Sequence, residues 1–241
     1  MPAKPVVVVR TDDHVCTIRL NRPDQLNSLD FPAQRELLAA LRRAAQDTEV
    51  RAVVLTGTGR AFCSGQDLQE AQHAPSGRAM ADAVRERYSP LVYELLTMPK
   101  PVIAAINGVA AGGGMALALA CDLRIACASA TFTTAFAGIA LSCDTGISWT
   151  LPRIAGRGTA LDLLLRPRLI GAREAFDLGL VHQTAADGEF DECVRDTAVA
   201  LAEGPTLALA AIKKAVNVGS VATARAALEH EAELIALTGD S

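Results

Sequence analysis

The stretch Asn107–Asp122, NGVAAGGGMALALACD, limits what this chain can become more than any other. Three consecutive glycines open an apolar run rich in alanine and leucine, with no β-branched residue from Met115 onward. That pattern predicts a tight turn feeding a helix buried on all sides. A helix N-terminus clear of side chains presents unpaired N–H groups and the positive end of the helix dipole. Such a turn favours developing negative charge, so a pocket is expected around it.

The chain has 241 residues, half of them hydrophobic, enough for one large α/β domain or two small ones. Its net charge of −4 argues against a general nucleic-acid or polyanion binder. Only Lys4, Lys100, Lys213 and Lys214 among the 23 basic residues are lysines. The six cysteines (Cys16, Cys63, Cys121, Cys127, Cys143, Cys193) show no C-x-x-C pairing and no histidine at zinc spacing. They read as small buried hydrophobes of a reducing compartment, and no metal site is expected. The N-terminus resembles neither a signal peptide nor a membrane span, and the longest apolar segment, Met115–Cys121, is too short to cross a bilayer. The expectation is a cytoplasmic protein with no membrane partner.

In chain order, residues 6–10 and 15–20 read as strands joined at Asp12–Asp13. After NRPDQLNSL comes a helix over 31–46, with Leu37, Leu38 and Leu41 at helical spacing. Residues 52–56 form a strand and 61–68 a turn-rich loop; 69–77 reads as a polar, mobile loop. A helix over 85–98 ends before Pro99 and Pro101, and strand 102–106 runs into the glycine turn. Strand pieces at 123–126 and 131–134 follow, then a helix from Ile147 that Pro152 interrupts. Helices at 159–165, 172–178, 191–202, 206–218 and 223–237 complete the chain. The strand–turn–helix unit recurs at 52–68 and 102–120, which points to repeated ββα turns. Gly65–Gln66 lies in the first loop and Gly112–Gly114 in the second. Two backbone N–H groups converging from adjacent units would form an oxyanion hole, although both loops also suit ordinary strand-to-helix turns.

The series NRPDQLNSL, GRAFCSGQDL, AAINGVAAGGGMALALACDLRIA, LPRIAG and LIGAREAFDLGLVHQ resembles the crotonase (enoyl-CoA hydratase/isomerase) superfamily, in its order and spacing, from about residue 6 to 218. The resemblance implies an α/β fold: a spiral of ββα units over 1–185, then a helical C-terminal trimerisation region over 186–241. It implies a homotrimer, often paired into a hexamer, acting on an acyl-CoA thioester whose CoA belongs to the substrate, with no separate cofactor. The thioester oxygen would be held by the N–H groups of Gln66 and Gly113. The adenine and pantetheine would pass Arg22, Gln25–Leu26 and Ser64–Gly65. Asp67 and Gly112 belong to the same loops; Asp67 reads as a bond to its loop backbone.

Two residues depart from the hydratases. Where they place glutamates, this chain has Ala116, three residues after the oxyanion glycine, and Phe136, four after Phe132. What it offers is Asp144, in D-T-G-x-x-W-x-L-P-R-x-A-G, similar to the base of ring-1,2-epoxyphenylacetyl-CoA isomerases. One aspartate could carry a proton between the α and γ carbons of an enolate. The expected activity is therefore an acyl-CoA isomerase with Asp144 as acid/base. The alternatives are a hydratase lacking its glutamate pair and a silent CoA-thioester-binding subunit. By its residues alone Asp144 also reads as a helix N-cap. Capping would lower its pKa and apolar neighbours such as Phe136 and Leu141 would raise it. In 4-chlorobenzoyl-CoA dehalogenases the matching acid is a nucleophile partnered by a histidine; His73 is the one histidine in the corresponding loop and reads as a surface residue. Trp149 reads as core or pocket wall. Lys213 and Lys214 read either as cations for CoA phosphates or as a solvated helix face. The family's last segment, D-x-x-E-G-x-x-A-F-x-x-K-R, is missing at Leu237–Ser241, so a neighbouring subunit is one candidate to close the site.

Overall fold

The computed structural model describes residues 4–67, 70 and 76–239. Its frame is a pair of sheets linked by short corners. The elements are β1 (Val7–Asp12), β2 (Val15–Leu20), α1 (Phe31–Gln46), β3 (Ala52–Gly57), β4 (Ala61–Cys63) and α2 (Gly77–Ala83). A π-helical turn, Val84–Tyr88, leads into α3 (Ser89–Thr97), then β5 (Val102–Ile106), β6 (Val109–Ala111) and α4 (Gly113–Ala120). Next come β7 (Leu123–Cys127), β8 (Thr131–Thr133), a 3-10 turn at Phe136–Ile139, α5 (Ile147–Leu165) and β9 (Ile170–Gly171). The last are α6 (Ala172–Asp177), β10 (Gln183–Ala185), α7 (Phe190–Glu203), α8 (Thr206–Gly219) and α9 (Ala224–Gly239).

The larger sheet runs β1-β2-β3-β5-β7-β10 and the smaller β4-β6-β8-β9. Among the described residues only β1/β2 and β8/β9 pair antiparallel. The pairs β3/β4, β5/β6 and β7/β8 each send their first strand to the large sheet and their second to the small one, so the expected repeat is present, whereas β1 and β2 both join the large sheet. Strands β3 and β5 are buried along their whole length, as a parallel sheet covered on both faces requires. Helix α1 starts at Asp30, whose Oδ1 accepts from the Ala33 N–H at 2.9 Å. Helix α4 is buried at every position, as its sequence predicts. No helix among the described residues is long and apolar enough to cross a membrane.

Several local expectations change. Residues 61–63 and 109–111 are strands too short to show periodicity. The expected helix 85–98 starts earlier and carries a π-helical turn. Pro152 does not interrupt α5; the break is at Gly156, whose φ of +77° is open to a residue without a side chain. The expected loop 69–77 falls mostly outside the described residues, as does His73. Cys16, Cys63, Cys121 and Cys127 are buried and all six cysteines are free thiols.

Lys213 serves neither of the roles its sequence suggests. Its ammonium donates to Asp122 Oδ2 and to the Leu95 carbonyl, each at 2.8 Å, with only 9% of its side chain exposed. The same Asp122 oxygen accepts from the Val102 N–H, so one ion pair ties α8 to the start of β5 and the end of α4. Lys214, on the other side of α8, is exposed. Removing one partner leaves a buried charge unmatched. The Lys213→Met variant is expected to lose about 2 kcal/mol of stability, read from the urea unfolding midpoint.

Candidate active site

Strands β4, β6 and β8 run parallel, and their C-terminal ends open on one place. Ser64 and Gln66 follow β4, Gly112 and Gly113 follow β6, and Ala135 and Phe136 follow β8. With Tyr88, Ile139, Leu141 and Asp144 they line a cavity of about 130 Å³. Ligands of parallel α/β sheets commonly sit at such strand ends.

The loop after β4 is held by Leu29, whose N–H donates to the Gly65 carbonyl at 2.8 Å and whose carbonyl accepts from Asp67 N–H at 3.2 Å. That register leaves the Gln66 N–H, between them, without a partner among the described residues. Gly113 is the first residue of α4, so its N–H lacks an intrahelical acceptor too. Gly65 (φ +93°) allows the two loops to touch: a Cβ there would lie 2.8 Å from the Ala111 carbonyl oxygen and 3.1 Å from Gly113 N. Two free donors thus sit side by side, next to the positive end of α4.

Asp144 does not cap α5; Gly146 (φ +74°) takes the N-cap position and no side chain bonds there. The carboxylate instead lines the cavity, with Oδ1 accepting from the Thr145 hydroxyl at 2.7 Å. Burial raises its pKa above the ordinary value, and the Thr145 hydrogen bond works against that rise. The competition between capping and desolvation is therefore won by desolvation. Neither Ala116, fully buried within α4, nor Phe136 adds an acid. Among the described residues Asp144 is the one carboxylate lining the cavity.

Arg22 is drawn into the scaffold. Its guanidinium bonds Asp67 Oδ2 at 2.9 Å, Asp30 Oδ2 at 3.0 Å and the Ser28 carbonyl at 2.7 Å. The Asp67 carboxylate also accepts from the Ser28 hydroxyl at 3.1 Å. Gln25 and Leu26 border Ser64 through their carbonyls, which accept from its hydroxyl at 3.4 Å and its N–H at 3.0 Å. Arg22, Gln25, Leu26, Gly65, Asp67 and Ala116 are outside the cavity lining, whereas Ser64, Gln66, Gly112, Gly113, Phe136 and Asp144 are in it. Trp149 is half-buried, with Arg153 stacked 4.1 Å from its ring, in a separate groove beside α8.

Sequence reasoning missed Tyr88. It is 3% exposed, its ring packs by Gly113, and burial pushes its hydroxyl pKa up. The apolar spacing from Tyr88 to Leu91, Val92 and Leu95 was the available signal. Cys63, behind the same loop, is a neutral thiol whose pKa burial pushes up to about 12. No group of three metal-binding side chains occurs among the described residues.

The family model for enoyl-CoA hydratase/isomerase matches residues 10–241. The chain belongs to that family. It is 44% identical over 227 residues to a Rhodobacter capsulatus protein named "Probable enoyl-CoA hydratase", covering 94% of this chain and 87% of that one. It is 38% identical to the Escherichia coli 1,2-epoxyphenylacetyl-CoA isomerase, covering 98% and 90%. Among solved structures, an enoyl-CoA hydratase from Bacillus anthracis superposes with a TM-score of 0.91 at 34% identity, covering 95% and 89%. The chain is thus a member of an acyl-CoA enzyme family with the crotonase fold, and relatives carry both hydratase and isomerase names.

Proposed function

We propose that this family member is an acyl-CoA isomerase that shifts a double bond or rearranges an epoxide through an enolate. The observation that carries this reading is Asp144, among the described residues the one carboxylate lining the cavity beside the Gln66 and Gly113 amides. Ionised Asp144 removes a proton from the α carbon; the C–H electrons move onto the thioester oxygen. That oxyanion accepts from the two N–H groups, each worth roughly 3–4 kcal/mol in the transition state. Asp144 then returns the same proton at the other end of the delocalised system. The raised pKa sets the sign of the pH response. Turnover needs the carboxylate, so it falls as pH drops, with its acid limb above that of an exposed aspartate.

The hydratase name of the Rhodobacter relative favours a second reading, water addition. Hydration needs a second group to hold the water, and Ala116 and Phe136 supply none. Purified protein is expected to hydrate crotonyl-CoA at least about a hundredfold more slowly than typical enzyme turnover, followed by loss of enoyl absorbance. A rate on the order of 10 s⁻¹ would overturn the isomerase reading.

We also propose that CoA enters only as part of the substrate and that the chain assembles as a trimer or a pair of trimers. The exposed Ile212 and Val216 of α8 and Leu228 and Ile235 of α9 support that assembly, since such apolar area is commonly covered by a partner.

A further inference from the structure

Thr145 has φ +52°, left-handed backbone that a β-branched residue rarely adopts. Such a conformation costs on the order of 1–3 kcal/mol and persists only where its surroundings hold it. Its side chain is buried beside Gly113 and Asp144, behind the cavity lining. Thr145 is 2% exposed, its hydroxyl lies 3.4 Å from where a Cβ on Gly113 would stand, and it donates to Asp144 Oδ1 at 2.7 Å. Among the described residues Asp144 Oδ2 has no hydrogen-bonding partner.

We propose that Thr145 is a positioning residue for Asp144: its hydroxyl occupies Oδ1, fixes the rotation of the carboxyl, and leaves Oδ2 to exchange the proton with the acyl chain. This rests on the reading of Asp144 as proton carrier and adds what aims it. The strained backbone has a purpose in this arrangement, because it turns the hydroxyl back onto the preceding side chain. The hydroxyl also supports the ionised state. Among the described residues no cation lines the cavity; the titratable groups there that face Asp144 are Tyr88 from the π-helical turn and, behind it, Cys63 of β4. A donor to the charged form is then the local counterweight to burial.

The test is the pH dependence of α-proton exchange in deuterated water, with 3-butenoyl-CoA and phenylacetyl-CoA as probes, in Thr145→Val and Thr145→Ser. Valine keeps the shape and loses the hydroxyl; serine keeps the hydroxyl. Thr145→Val is expected to exchange about tenfold more slowly than wild type at pH 8, from the lost alignment, and more slowly still relative to wild type at pH 5, with Thr145→Ser close to wild type at both. A ¹³C titration of the Asp144 carboxyl in the substrate-free variants is expected to move upward in the valine variant only. Exchange in the valine variant equal to wild type, or a serine variant as slow as valine, overturns the role of Thr145. Exchange that survives Asp144→Asn, or is absent from the wild type, overturns the reading of Asp144 and the proposal with it; an Asp144 titration that Thr145→Val leaves in place overturns the contact itself.

Discussion

Asp144→Asn is expected to reduce α-proton exchange of 3-butenoyl-CoA by about a thousandfold, the scale of a lost general base. The asparagine keeps the shape, and its amide oxygen can still accept from Thr145. The walls of the cavity and the two free amides stay in place, so acyl-CoA affinity, measured by calorimetry, should remain within about threefold. Loss of rate without loss of binding marks a group needed only in the transition state. Exchange retained at the wild-type rate would remove Asp144 from the chemistry.

The second large effect is structural. A Cβ on Gly114 would stand 2.0 Å from the Cys63 carbonyl oxygen and 2.7 Å from its carbon. Both are backbone atoms of β4, so no side-chain rotation relieves the overlap. Gly114→Ala must therefore part α4 from β4, at a cost of about 3 kcal/mol or more. The expected result is a strongly lowered urea midpoint and a poor soluble yield. A midpoint shifted by less than about 0.5 kcal/mol would show that the two elements can separate freely.

Much of this arrangement was legible in the amino-acid sequence because its signals are local. The run Val102–Ile106 and the glycine triplet announce a buried strand, a turn and a buried helix within a dozen residues. Asp144 was legible from its motif, and so were Ala116 and Phe136 as missing acids. What was not legible depends on distant partners or on very short elements. Strands β4 and β6 have three residues each, less than periodicity needs. Arg22 reads as a free cation until Asp30 and Asp67 fold against it, the latter 45 residues away. Lys213 reads as a helix-face cation until Asp122, 91 residues earlier, meets it. Tyr88 reaches the cavity from a π-helical turn; its spacing to Leu91, Val92 and Leu95 marks it as buried but not as facing the cavity. Whether Asp144 caps a helix or faces an apolar wall was a contest between two local rules, and the left-handed Gly146 decided it by taking the cap.

The three parallel strand ends give the molecule a division of labour. Pairing in both sheets is made by backbone groups, and the loops that begin at Ser64, Gly112 and Ala135 add only a few more backbone bonds to it, such as the Gly112 N–H to the Thr133 carbonyl at 3.0 Å. Their side chains take no part in the ladder, so an acid can be deleted at one corner and installed at another without rewriting the frame. Two of the positions here hold alanine and phenylalanine, and Asp144 stands in the segment after the third corner. On the proposed reading such a frame separates the capacity to stabilise an enolate, carried by peptide N–H groups that no substitution but proline removes, from the choice of where its proton goes.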